Sequence, residues 1–73
     1  MDIIELNSAQ VQYLLEVLES EPAQGLSEIN AWYSQFIPSV RVDLIKRRSL
    51  TIRQLYQIQK IAYMARMPWR MVI

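Results

Sequence analysis

The residues that usually carry catalysis are scarce in this chain. It has no His for general acid–base work near neutrality and no Cys to act as a thiolate nucleophile. Its only glycine is Gly25, so no glycine-rich phosphate-binding loop follows a strand. Glu16 and Glu19 fall on one face of a helical window, but carboxylates at i, i+3 spacing ordinarily form a solvated face. Carboxylates alone can hold Ca²⁺ or Mg²⁺, yet no calcium-loop pattern is present. The chain therefore reads as a non-enzyme with no cofactor, no metal and no small-molecule substrate.

Recognition chemistry is better represented. Lys46, Arg47 and Arg48 precede a short Ser49-Leu50 turn, and a helix bearing Arg53, Gln54, Gln57 and Lys60 follows. Arg pairs bidentately with guanine and Gln with adenine in the major groove, so these seven residues are the nucleic-acid-binding candidates. Two short helices followed by a basic one also match a helix-turn-helix layout. The competing reading is that these cations solubilise a helix face or neutralise acidic groups elsewhere. A pI near 8.1 falls short of a strongly basic footprint.

A second cluster, Arg66, Met67, Trp69, Arg70 and Met71, supplies the partner-binding candidates, because Trp, Met and Arg are enriched at protein interfaces. Its competing reading is a tail that closes the core. Trp32, Tyr33 and Phe36 are expected to fill the core, with a surface hot spot as the alternative. Tyr56 and Tyr63, seven residues apart, form a second apolar face.

Charge is divided along the chain. Residues 1–37 carry Asp2, Glu5, Glu16, Glu19, Glu21 and Glu28 and no Lys or Arg, a net −6. Residues 38–73 carry eight Lys or Arg against Asp43 alone, a net +7. In a small domain some of these groups are expected to neutralise each other in part. What remains is a two-signed surface, suited to bridging a protein partner and nucleic acid.

These groups must be positioned by a chain of 73 residues, enough for one domain that buries roughly 60% of its unfolded surface. Disulfides cannot assist, so the 52% hydrophobic content must build the core. The N-terminus lacks a signal-peptide pattern, and no apolar run approaches the ~20 residues of a membrane span. The expected location is cytoplasmic, with no membrane partner.

Punctuation by Pro22, Gly25, Pro38 and Pro68 divides the chain into helical windows. Asn7 with Gln10 forms a capping box, Leu6 with Val11 a staple, and Val11, Leu14, Leu15 and Leu18 an apolar stripe. Ser27 is read as the cap of a second helix that stops at Ile37 before Pro38. A short third helix carries Val40 and Leu44. Thr51 with Gln54 caps the fourth, whose stripe is Leu55, Ile58, Ala62 and Ala65, with Ile52 and Ile61 at its margins. The helices fall at about 8–20, 28–37, 40–47 and 52–66, between an arm at 1–6 and a tail at 67–73. Met67, Trp69, Met71 and Ile73 alternate, which suits an extended tail that pairs with the arm. The fold class is all-α: a single three-to-four-helix bundle, helix-turn-helix-like, with an extended N-terminal arm and C-terminal tail.

The stretch Leu50-Thr51-Ile52-Arg53-Gln54-Leu55 resembles the opening of the helix-turn-helix in response-regulator output domains, which usually have Pro and Glu where Ile52 and Gln54 stand. In length, and in Leu6–Leu18 and Leu50–Arg70 as a compact helical unit, the chain resembles small phage-encoded transcription regulators and antiterminators acting on bacterial RNA polymerase. That resemblance implies docking on the polymerase in the host cytoplasm, inhibition of initiation and elongation past terminators. The first expectation is thus a non-enzymatic regulator that binds a host protein. The alternative is a sequence-specific helix-turn-helix repressor with direct DNA contact. The third is a structural subunit that associates head to tail through its two signs of charge.

Overall fold

Asn7 opens the first helix as its chemistry dictates. Its side-chain oxygen accepts the Gln10 N–H at 2.8 Å, and the Gln10 side chain accepts the Asn7 N–H at 2.9 Å. In this computed structural model, which describes residues 2–71, helix α1 spans Ser8–Leu18. The staple pair Leu6 and Val11 is buried, as are Leu14, Val17 and Leu18.

The next segment departs from the expected loop. Helix α2 spans Glu21–Ile29, and Pro22 helps open it. A proline in the first turn forfeits an N–H that has no helical partner there, so it starts a helix as readily as it ends one. Glu21 adds a favourable charge at the positive end of the helix dipole. Ser27, expected as a cap, lies inside α2. The cap that operates is Asn30, whose side chain accepts from the Trp32 and Tyr33 N–H groups at 2.9 and 3.3 Å.

From there helix α3 runs over Ala31–Arg47, so the expected helices 28–37 and 40–47 are not the units the chain forms. Pro38 stands at its eighth position, and the break expected at Ile37 does not occur. The reason is tertiary. Ile37, Val40 and Leu44 are buried on one face and span both sides of the proline. Each such side chain contributes about 1.5–3 kcal/mol on burial, against a proline penalty of about 3 kcal/mol. Pro38 itself is exposed, which leaves water access to the helix on that side.

Arg48 ends α3 in the left-handed region, at φ 53°, with its N–H donating to the Asp43 carbonyl at 3.1 Å. The Ser49-Leu50 turn is in fact a strand, β2 (Ser49–Thr51). It pairs antiparallel with β1 (Ile3–Glu5), Ile4 standing opposite Leu50. Flanking bonds from Leu6 N–H to the Arg48 carbonyl and from Ile52 N–H to the Asp2 carbonyl extend the ladder. Among the described residues the arm therefore pairs with β2 and not with the tail. Burial of Leu50 to 1% exposure supplies the driving force that a solvated arm–tail pair would lack.

Helix α4 spans Ile52–Met64 and starts with the expected Thr51–Gln54 capping box. It stops two residues short of Arg66. The Arg66 N–H donates to the Tyr63 carbonyl and the Met67 N–H to the Ala62 carbonyl, with Arg66 at φ 57°. This is a Schellman ending, with Arg at the position that usually holds Gly. Leu55, Ile58, Ile61 and Ala62 are buried, so Ile61 belongs to the stripe and Ala65 to its margin.

Helices α1 and α2 each pack against both α3 and α4, around Leu14, Leu18, Leu44, Leu50, Leu55, Ile58 and Ile61. The Cα radius of gyration is 11.3 Å, matching the ~11 Å of a compact chain of this length. The molecule is a small helical bundle with a two-stranded sheet. Arg48–Thr51 has the length of a helix-turn-helix connection but mostly strand conformation. Among the described residues no helix is long and apolar enough to cross a membrane. Residue Ile73 of the expected tail alternation lies outside the described residues.

Candidate functional site

The seven nucleic-acid candidates divide once folded. Gln54 is spent on structure. Its side-chain oxygen accepts the Thr51 N–H at 2.9 Å and its amide donates to Asp43 Oδ2 at 3.1 Å. Arg48 donates to Ser8 Oγ at 2.7 Å, and Arg47 Nε lies 4.0 Å from Asp43 Oδ1. Lys46, Arg53 and Lys60 are exposed with no ion pair among the described residues, and half-buried Gln57 makes no hydrogen bond to them. The sequence offers Gln54 for both a cap and base reading; the fold uses it for the cap.

The five partner-binding candidates also divide. Met71 is buried, and Met67 and Trp69 pack against the core. Tyr13 receives the tail. Its hydroxyl donates to the Pro68 carbonyl, its ring meets Trp69 edge-on at 6.1 Å, and the Arg70 guanidinium lies 5.9 Å from the ring centre. Burial pushes the Tyr13 hydroxyl above its usual pKa, opposed by the Arg70 backbone and charge. The tail thus closes the core across α1, and of this set only Arg66 and Arg70 are exposed.

Two other surfaces emerge instead. On the outer side of α4, Tyr56, Lys60, Tyr63 and Met64 form one solvent-facing stripe, with Tyr63 at 62% and Met64 at 53% exposure. The seven-residue spacing of the tyrosines was the signal in the sequence. Met64 carried none, because its place on that stripe depends on which face of α4 the core takes.

The second surface lies between α3 and the start of α4. Tyr33 and Phe36 pack against the core as expected, but Trp32 stays 52% exposed. Its indole stacks on Phe36 with centroids 4.7 Å apart and planes 13° from parallel, and Tyr33 meets it edge-on at 4.9 Å. Trp32, Phe36, Thr51, Arg53, Gln54 and Gln57 line a groove of about 510 Å³.

The fold brings the two halves of the charge division together without direct pairing. Among the described residues the one ion pair is Asp43–Arg47, both from the basic half. No carboxylate of residues 2–37 forms an ion pair with a cation; the two signs meet at longer range, Asp2 lining a pocket with Arg53 and Glu16 one with Arg70. Nor do three or more His, Cys, Asp or Glu residues gather among the described residues to make a metal site.

Comparison with protein-family models, with curated proteins and with solved structures finds no match to the chain.

Proposed function

We propose that this protein is a non-enzymatic transcription regulator that works by binding a protein partner. Bacterial RNA polymerase is the candidate, with inhibition of initiation and antitermination as the outcome in a phage-infected cell. The observation that carries the reading is the outer stripe of α4. Tyr56, Tyr63 and Met64 hold apolar surface in solvent around Lys60, and Tyr and Met are among the residues enriched at interface centres. The mechanism is steric and electrostatic. The stripe docks, and the unpaired charges orient the approach of a partner of complementary sign.

The test is capture of purified bacterial RNA polymerase on the immobilised protein, at low and high salt, followed by initiation and terminator read-through assays in vitro. Retention that weakens with salt, lost in Tyr63→Ala, supports the proposal. Failure to retain the enzyme at low salt, with transcription unchanged, defeats it.

A second reading, the sequence-specific repressor, draws on Arg53, Gln57 and Lys60, which remain available along α4. The commitment of Gln54 to Thr51 and Asp43 weighs against it. It requires tight duplex binding that depends on sequence as well as salt.

A further inference from the structure

We infer that the groove between α3 and the start of α4 binds single-stranded nucleic acid, stacking a nucleobase on Trp32. The groove adjoins the α4 stripe that carries the proposed function but shares no lining residue with it. Phe36 backs the indole, Tyr33 packs perpendicular to it, and half of the Trp32 residue stays open to solvent. A ring so braced loses little freedom when a base stacks on it, which favours binding.

The polar groups around the indole complete the set. Arg53 is exposed, without an ion pair among the described residues, and no carboxylate lines the groove. The nearby Asp43 is occupied, its Oδ2 by the Gln54 amide and its Oδ1 by Arg47. Asp2 lines the adjoining pocket with Arg53 but forms no ion pair with it, so the Arg53 guanidinium is the one charged group lining the groove itself, complementary to a phosphate. Gln57 offers an uncommitted donor and acceptor on one amide, which fits a base edge. Gln54 forms a fixed wall. A flat aromatic platform, a free cation and an amide with both hydrogen-bonding roles are the parts that single-strand binders combine. A volume of about 510 Å³ accommodates a base with its sugar and phosphate. Bases within a duplex are stacked on each other and leave no face for the indole, so the groove selects unpaired strands.

The experiment is fluorescence anisotropy with labelled oligouridine and oligothymidine of about 12 nucleotides. A mixed-sequence duplex and a Glu-rich peptide serve as the other probes. Binding of a single strand is expected, and Trp32→Ala should weaken it about fivefold or more, the loss of one base–aromatic stack. Trp32→Phe, which keeps a stacking ring, should stay within about threefold of the parent. Arg53→Ala should reduce the salt slope by about 0.7, one single-strand phosphate contact. Tyr63→Ala should leave oligonucleotide binding intact, so loss of the partner face and loss of the groove are told apart. Circular dichroism confirms that each variant is folded. No single-strand binding at millimolar protein overturns the inference. So does equal binding by folded Trp32→Ala, or a Trp32-dependent preference for the duplex or the peptide.

Discussion

Replacing Pro38 with Ala restores the one main-chain donor that the middle of α3 lacks. The Ser34 carbonyl then gains a helical partner, worth about 0.5–1.5 kcal/mol net, and the ring's clash with that carbonyl disappears. The full propensity difference between Pro and Ala is about 3 kcal/mol. Pro38 is exposed, so its removal opens no cavity in the core. The buried trio Ile37, Val40 and Leu44 already holds both halves of the helix in place, so part of the proline's cost is met by packing. Stabilisation should therefore fall between about 1 and 3 kcal/mol, or about 4–8 °C in Tm for each kcal/mol. Urea unfolding followed by far-UV circular dichroism measures it, with the m-value unchanged because the surface exposed on unfolding is unchanged. A neutral or destabilising result would contradict this balance. It would mean that Ile37 and Leu44 reach the core only through a bend that the proline creates.

Three further substitutions test separate points. Arg66→Gly removes the left-handed strain at φ 57° while keeping the Schellman bonds, so stability should rise by about 0.5–1 kcal/mol in thermal unfolding. Gly25→Ala, inside α2 with nothing within 4 Å of the added Cβ, should add about 0.5–1 kcal/mol in the same assay. Tyr13→Phe should cost about 1 kcal/mol near neutrality through the lost bond to Pro68. Because burial raises the Tyr13 pKa above its ordinary 10.0, the unfolded chain releases that proton first. Its contribution is present below that ordinary value and is lost as pH rises through the folded one. Denaturant titrations across the alkaline range should thus show a shallower decline for Tyr13→Phe than for the parent. An equal decline would remove Tyr13 as its source.

The legible parts of the fold were those decided within a few residues. The boxes Asn7–Gln10 and Thr51–Gln54 are three residues wide, and their chemistry is complete without the rest of the chain. The apolar spacing of α1 and α4 likewise defines a face wherever the helix lies. Proline was ambiguous for a local reason as well, since the same residue opens a helix at Pro22 and sits inside one at Pro38. Whether Pro38 breaks the chain depends on how much apolar surface its neighbours bury, which is a property of the whole core.

At the candidate surfaces the division is the same. The sequence alone determined that catalytic groups are few, that negative and positive charge occupy opposite halves, and that aromatic and basic residues concentrate in a few stretches. Only the tertiary structure decided which of them remain free. It folded Met71 into the core, closed Trp69 on Tyr13, and tied Gln54 to Thr51 and Asp43. It left Trp32 and the outer face of α4 open. It also set the strand pairing of Ile4 with Leu50, contacts far apart along the chain. Residue type states what a side chain can do; burial and partners, which arise from packing between distant segments, select which of those capacities is available to a ligand.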